Sequence, residues 1–186
     1  MLSLNEIKLG KVVQINKEPF VVIRAEQHAM GRGSSVLKTK LKNLISGNVM
    51  ERTWQGNDKA EEANVIRKKS NYLYKDDTDA YLMDNENFEQ FNLPLDQLDG
   101  KDRFLKEDTE VLALYFNDKP VAIDLPIKIE LKVVSAPPGV KGNSAGNVNK
   151  TVELETGATI QVPMFVNEGD TIRVNTETEE YAERVM

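Results

Sequence analysis

The chain has 186 residues, of which 40% are hydrophobic and 29% charged, and its formal net charge at pH 7 is −6. It has no cysteine, which excludes disulfides, thiol nucleophiles and cysteine-ligated metals. No apolar run approaches the roughly 18 residues of a membrane span, and the N-terminus lacks a signal-peptide pattern. We therefore expect a cytoplasmic protein without membrane contact, divided into one large or two to three small domains.

Short runs rich in β-branched residues, separated by turn-forming residues, fill the first 65 positions. Candidate strands cover 11–15 and 20–23, and the polar segment 16–19 between them indicates a turn. Further candidates follow at 36–42 and 51–54. Strands at this spacing, with no helix-length periodic segment, predict a small β-barrel.

One arginine between two glycines separates the second and third of these candidate strands. Glycine can adopt positive φ, so Gly31-Arg32-Gly33 predicts a hairpin loop with a single long cationic side chain at its tip. The segment lacks the spacing of a Walker phosphate-binding loop. The only histidine, His28, precedes this loop and is more often a polar loop residue there than a general base.

Positive charge is concentrated at the front of the chain. Residues 1–69 hold 13 Lys or Arg and 7 Asp or Glu, a net of +6, whereas residues 70–186 hold 11 and 23, a net of −12. Lys38, Lys40 and Lys42 are two apart, which places them on one face of a strand. A solvated strand face is the commoner explanation of such a pattern. No acidic residue occurs between Gln27 and Met50. Because this acid-free segment coincides with the predicted loop, a phosphate-contacting surface is favoured.

A second series of strands follows residue 66. The runs 72–74 and 81–83 flank an acidic turn, and the runs 111–116 and 121–125 flank a second turn before Pro126 ends the series. The acidic turn could bind a cation, but it lacks the glycine and the bidentate glutamate of an EF-hand, so a solvated turn is preferred.

The last part begins with an alternating strand at 128–134 and continues into a loop at 135–147 that contains three glycines and two prolines. A loop of this length in a small β domain is mobile or functional. Together the elements predict domains at 1–65, 66–127 and 128–186, the last two of the size of OB barrels. No nucleophile–base set occurs, Trp54 and the tyrosines are assigned to the core, and we expect a binding protein without metal or cofactor.

Motifs along the whole chain resemble bacterial translation elongation factor P. The segments that carry the resemblance are Gly31-Arg32-Gly33, Lys40-Leu41-Lys42-Asn43-Leu44, Tyr81-Leu82-Met83-Asp84, Phe88-Glu89-Gln90, Pro138-Gly139-Val140-Lys141-Gly142, Ile160-Gln161-Val162-Pro163 and Glu180-Tyr181-Ala182-Glu183-Arg184-Val185. Met30 stands where the family usually has proline.

The resemblance implies an all-β fold of three small barrels in an L-shaped, tRNA-like arrangement, with a KOW/SH3-like barrel followed by two OB-fold barrels. It implies binding to the ribosome between the P and E sites, contact with P-site peptidyl-tRNA and relief of stalling at consecutive prolines. By position, Arg32 is the candidate for rhamnosylation by an arginine rhamnosyltransferase. The expected tRNA- and rRNA-binding residues are Gly31, Arg32, Gly33, Lys38, Lys40, Lys42, Gly142, Asn143, Ser144, Tyr181 and Arg184.

Two alternatives remain open at this point. Met30 leaves room for an elongation-factor-P-like paralogue that relieves a different set of stall motifs. A nucleic-acid- or sugar-binding OB module is the other, although the acidic charge of residues 70–186 argues against a nucleic-acid ligand there.

Overall fold

The structure, a computed structural model, describes residues 1–28, 35–137 and 149–185. These residues form three five-stranded sheets and three short 3-10 helices, so the all-β prediction is confirmed. None of these helices is long and apolar enough to cross a bilayer. The predicted domain boundaries stay a prediction.

The first sheet follows a short 3-10 helix at the N-terminus and has the strand order β4-β3-β2-β1-β5. A two-residue turn joins β1 to β2, because Asn16 and Lys17 both have positive φ, at 53° and 70°. Two such residues in succession are typical of a type I′ hairpin turn, whose twist matches that of the strands. The elements are the helix Leu4–Glu6, β1 Val12–Ile15, β2 Glu18–His28, β3 Val36–Asn43, β4 Val49–Gln55 and β5 Glu61–Glu62.

The middle sheet has the order β10-β9-β6-β7-β8. Asn117 and Asp118 repeat the pattern of two adjacent positive φ angles between β9 and β10. Both turns are therefore shorter than the four-residue linkers expected from the sequence. The elements are β6 Val65–Lys75, β7 Asp79–Asp84, β8 Gln90–Pro94, the helices Leu95–Leu98 and Lys101–Phe104, β9 Glu110–Phe116 and β10 Lys119–Asp124.

The third sheet has the order β13-β12-β11-β14-β15. Its central strand β11 buries Ile129, Leu131 and Val133 and exposes the residues between them, as the alternating sequence predicts. The strands are β11 Lys128–Ser135, β12 Asn149–Leu154, β13 Thr159–Pro163, β14 Thr171–Asn175 and β15 Glu180–Arg184.

Buried apolar side chains fill two compact units, which consist of residues 1–68 with 113–123 and of residues 69–112 with 124–186. In the first unit, Trp54 is the largest fully buried side chain and packs with apolar residues of β1 to β3. In the second, Phe104 packs with the apolar faces of the third sheet. Burial of these side chains is the main force that holds each sheet curved around its core.

One carboxylate organises the acidic turn between β6 and β7. Asp76 Oδ1 accepts hydrogen bonds from the backbone N–H groups of Thr78 (2.9 Å) and Asp79 (2.8 Å), and Oδ2 accepts one from the Tyr81 hydroxyl (2.9 Å). These hydrogen bonds lower the pKa of Asp76 from 3.8 to about 2, and the bond from the Thr78 N–H has the largest effect. The side chain therefore serves to close the turn.

Asp76 should make stability depend on pH in acid. Because its pKa is lower in the folded chain, the ionised carboxylate stabilises the fold fully above about pH 4, and this contribution is lost as the pH falls through about 2. Asp76→Ala should lower the melting temperature at pH 7 and flatten its decline between these pH values. Asp77→Ala, which removes the same charge at the next position, is the control; equal pH profiles for both variants would contradict the assignment.

Candidate nucleic-acid interface

The predicted hairpin is present, and its stem is long. Strands β2 and β3 pair antiparallel from Phe20 with Asn43 to His28 with Val36. Gln27 Nε2 donates a hydrogen bond to Ser35 Oγ across the far end of the stem, at 2.8 Å. The predicted tip residues, Gly31, Arg32 and Gly33, lie outside the described residues.

Two of the three stem lysines are exposed. Lys38 and Lys40 face solvent while Leu37 and Leu41 are buried, as the period-2 argument predicts. Lys42, however, is only 8% exposed. Alternation along a strand fixes the face on which a side chain lies, but the neighbouring strands decide whether that face is open. The predicted stripe of three exposed lysines is therefore a pair.

Acidic residues from the adjacent strands reduce the positive charge of this pair. Glu26 of β2 lies opposite Lys38, and Glu51 of β4 lies opposite Lys40. Arg24, the other neighbour of Lys40, donates a hydrogen bond to Glu26 (Nε to Oε1, 2.8 Å). The segment from 27 to 50 is free of acids in the sequence, but the surface that it forms is not. The stem thus carries a small cationic excess.

A hydrogen-bonded pair joins β3 to the edge strand β4 beneath the lysines. Trp54 is 2% exposed, and its Nε1 donates to Thr39 Oγ1 at 2.9 Å. Thr39 Oγ1 donates in turn to the backbone oxygen of Arg52 at 3.0 Å. The guanidinium of Arg52 lies over the indole ring, 4.1 Å from its centroid. This arrangement fixes the strand that carries Lys38 and Lys40.

The other group of predicted site residues belongs to the third sheet. Gly142, Asn143 and Ser144 lie outside the described residues. Tyr181 and Arg184 are both on β15 and both contact the ring of Phe165. We call these three residues, Phe165, Tyr181 and Arg184, the aromatic–arginine cluster.

The aromatic–arginine cluster combines exposed ring surface with a positive charge. Phe165 is 56% exposed and meets Tyr181 edge to face, with ring centroids 6.5 Å apart. The Arg184 guanidinium is 5.6 Å from the Phe165 ring centroid, and its Nη1 is 3.5 Å from Asp170 Oδ2. A ring face and an exposed guanidinium are the two groups that bind single-stranded nucleic acid in OB folds.

A neighbouring arginine is held by carboxylates. Arg173 donates to Glu183 Oε1 (3.0 Å) and to Glu130 Oε1 (2.9 Å), and these bonds raise its pKa. The hydrogen bonds from Arg173 and then Lys128 lower the pKa of Glu183. The Arg173 guanidinium is therefore held by two carboxylates of the protein itself. The Arg184 guanidinium has a longer contact with a carboxylate, 3.5 Å from Asp170.

Sequence reasoning did not identify Phe165 as a site residue, because nothing local distinguishes it from a core phenylalanine. The prediction that the tyrosines are core holds for Tyr72, which is 5% exposed, and is wrong for Tyr74, which is 54% exposed. Trp54 is core, as predicted. Among the described residues, no group of three or more His, Asp or Glu side chains could hold a metal ion.

Comparison with known proteins covers nearly the whole chain. Three family models match in order: the Elongation factor P KOW-like domain over residues 3–60, the Elongation factor P OB domain over 65–123, and Elongation factor P, C-terminal, over 129–184. The predicted fold class, a KOW-like domain followed by OB-type domains, is confirmed.

Individual proteins similar to this chain indicate the same family as the family models. Elongation factor P of Moorella thermoacetica is 40% identical over 184 residues, which are 99% of this chain and 100% of that protein. The proteins of the same name from Alkaliphilus oremlandii and Clostridium botulinum are 40% and 42% identical over 185 residues, and the matches span 100% of both chains in each case. The chain belongs to the elongation factor P family and is a translation elongation factor.

Proposed function

We propose that the protein binds the ribosome between the P and E sites and promotes peptide-bond formation at consecutive prolines by positioning peptidyl-tRNA. The observation that carries this proposal is the β2–β3 hairpin. Its 11-residue strand β2 and 8-residue strand β3 lead the chain away from the core and toward Arg32. At about 3.4 Å per residue, β2 alone spans about 35 Å.

Positioning is the form of catalysis that such a hairpin can supply. Proline is a conformationally restricted nucleophile, since its ring fixes φ. Holding the peptidyl-tRNA in a reactive geometry lowers the entropic part of the barrier without a general base or nucleophile from the protein. The Arg32 guanidinium stays charged at any physiological pH and binds phosphate or base edges. Rhamnosylation by an arginine rhamnosyltransferase would extend its reach.

The aromatic–arginine cluster supports a second contact with tRNA or rRNA. Arg184 offers a charge-assisted hydrogen bond to a phosphate, and the exposed Phe165 ring offers a stacking surface beside it. Gly142, Asn143 and Ser144, which lie outside the described residues, are included as RNA-binding residues because of the family resemblance alone. An RNA contact from each of two domains would fix the orientation of the factor as well as its affinity.

Removing the charges of Lys38 and Lys40 tests the contact with RNA phosphates. Replacing both with glutamine should weaken ribosome binding severalfold and make the slope of log K against log salt shallower by about 2, because each phosphate contact contributes about one unit. Binding is measured by co-sedimentation at several salt concentrations. The double variant with Lys8→Gln and Lys59→Gln removes two exposed lysines outside the hairpin and should behave like the wild type. Equal salt slopes for both double variants would show that Lys38 and Lys40 do not contact RNA phosphates and only face solvent.

A paralogue with other stall motifs remains the second candidate, and Met30 is the observation that favours it. A panel of stalling peptides distinguishes the two. Relief confined to sequences without consecutive prolines would favour the paralogue.

A further inference from the structure

Two strands of the first sheet, β1 and β2, are covered on both faces. Val13 belongs to the core of the first sheet, whereas Val12 and its cross-strand partner Val21 belong to a second cluster of apolar side chains. Successive residues of a strand alternate between its two faces. A strand that is buried on both faces has a continuous apolar run in place of alternation, which explains the adjacent valines of β1 and of β2.

The hairpin of β9 and β10 covers the outer face, which is the face that carries Val12 and Val21. Leu114, Phe116 and Val121 are 3%, 5% and 6% exposed and belong to the same cluster as these two valines. Residues 113–123 accordingly form one compact unit with residues 1–68. Close packing of buried apolar side chains favours one fixed arrangement over others. The first sheet therefore has a second core, which it shares with β9 and β10.

This second core lies at the base of the arginine hairpin, the hairpin formed by β2 and β3. Val12 pairs with Val21, and Val21 pairs with Lys42, so the three side chains form a cross-strand row on the outer face. Leu44, which directly follows β3, is 8% exposed and belongs to the cluster. Both strands of the stem thus reach the covered region, and the low exposure of Lys42 follows from the position of its row.

The segment that leads from the first sheet to β6 is tied to the same place. The Ala63 N–H donates to the Val12 oxygen at 3.2 Å, and the Val65 N–H donates to the Ala63 oxygen at 3.0 Å. Ala63 is 4% exposed, and Val65 packs against the cluster. Local opening requires few buried contacts and exposed backbone hydrogen bonds. This connection is buried and hydrogen-bonded, so it does not have the properties of a hinge.

Farther along the stem, the outer face is open. Lys38 and Lys40 lie on the same face of β3 as Lys42, because the three are two residues apart, and both are exposed. One face of one strand is thus divided into a covered part at the base and an open part beyond it. Only the open part is accessible to RNA phosphates.

We propose that the β9–β10 hairpin holds the arginine hairpin in position, with Leu114 and Phe116 as positioning residues, and that Lys42 belongs to this support and not to the RNA contact. The proposal rests on the proposed function, in which the stem presents Arg32 to peptidyl-tRNA. At about 3.4 Å per residue the stretch from Val21 to His28 spans about 24 Å, so a rotation of about 5° at the base moves its end by about 2 Å. Misplacement by about 1 Å can lower a rate on the order of a hundredfold.

Leu114→Ala tests the support, and Leu82→Ala is the matched control. Leu82 of β7 is a buried leucine of the same sheet, 0% exposed, and is not part of the cluster. Both variants should therefore lose similar stability. At saturating factor, Leu114→Ala should relieve stalling about tenfold more slowly, because the stem is misplaced. Its half-saturating concentration should change by less than about twofold, because Lys38 and Lys40 are retained.

Leu82→Ala should keep the saturating rate of the wild type, and Leu114→Met, which conserves volume, should restore most of it. Equal saturating rates for Leu114→Ala and Leu82→Ala would overturn the proposal. If Leu114→Ala does not fold, Val121→Ala removes less volume from the same cluster and takes its place, with the same expected difference from Leu82→Ala.

A distance measurement without ribosomes checks the support directly. The chain has no cysteine, so spin labels can be attached through Lys38→Cys on the stem and Lys119→Cys on β10, both at exposed positions. Pulsed electron paramagnetic resonance should give one narrow distance distribution in the otherwise unaltered chain and in Leu82→Ala, and a broader one in Leu114→Ala. Equal widths in the two leucine variants would overturn the proposal, whatever their activity.

Lys42→Gln separates support from RNA contact. The slope of log K against log salt for ribosome binding should stay that of the wild type, whereas the double variant at Lys38 and Lys40 makes it shallower by about 2. A slope made shallower by about 1 in Lys42→Gln would overturn the assignment of Lys42. A wild-type chain that gives the expected label distances but no relief of stalling would refute the proposed function alone.

Discussion

Arg32→Ala is expected to abolish the relief of stalling at consecutive prolines. The rate of synthesis through a proline stretch should then equal the rate measured without the factor. Removing the tip side chain removes the group that would contact peptidyl-tRNA, and even small errors of position can lower a rate on the order of a hundredfold. The assay is reconstituted translation of a reporter with a proline stretch. Arg67→Ala is the control and should leave the relief of stalling unchanged, because Arg67 is an exposed arginine on β6, outside the hairpin.

Full activity in Arg32→Ala would refute the role of the tip. Intact-mass measurement of the protein from its native cell adds a second result: one deoxyhexose of extra mass on Arg32 is expected if the residue is rhamnosylated. An unmodified protein that is fully active would assign the effect to the bare guanidinium. Arg32→Lys keeps the charge but not the planar group, so partial activity in this variant would measure the contribution of charge alone.

Trp54→Ala is expected to have the largest effect on stability, a loss of about 3 to 5 kcal/mol. The indole is 2% exposed, so its removal leaves a cavity in the core of the first sheet. It also leaves Thr39 Oγ1 without its indole donor. Chemical denaturation followed by circular dichroism measures the change. Because this core lies beneath the hairpin stem, ribosome binding should fall together with stability.

Two variants separate the packing of Trp54 from its hydrogen bond. Thr39→Val removes the acceptor for the indole N–H and should cost about 1 to 3 kcal/mol, since a buried donor is left unpaired. Thr53→Ala, at the exposed neighbouring position of β4, should change stability by less than about 0.5 kcal/mol. A Trp54→Ala variant as stable as Thr53→Ala would show that the indole does not support the first sheet.

Much of the fold could be predicted from local sequence patterns. The alternation of β11, with Ile129, Leu131 and Val133 buried, depends only on the pleat of a strand, so the period could be read directly. The hairpin around Arg32 was predictable for a similar reason, because two β-rich runs flank its glycines. Strands β12 and β15 were not predicted: both are short, rich in polar residues and open to solvent on one side, and they become strands only by pairing with β11, β13 and β14.

The sequence by itself determined the fold class, the position of the arginine hairpin, the family and the division of charge along the chain. The tertiary structure alone decided that Lys42 is covered, that Glu26 and Glu51 lie beside the stem lysines, and that Phe165 meets Arg184. The reason is physical: periodicity assigns a residue to a face, but the neighbours on that face are set by strand register and by turns closed through contacts distant in sequence.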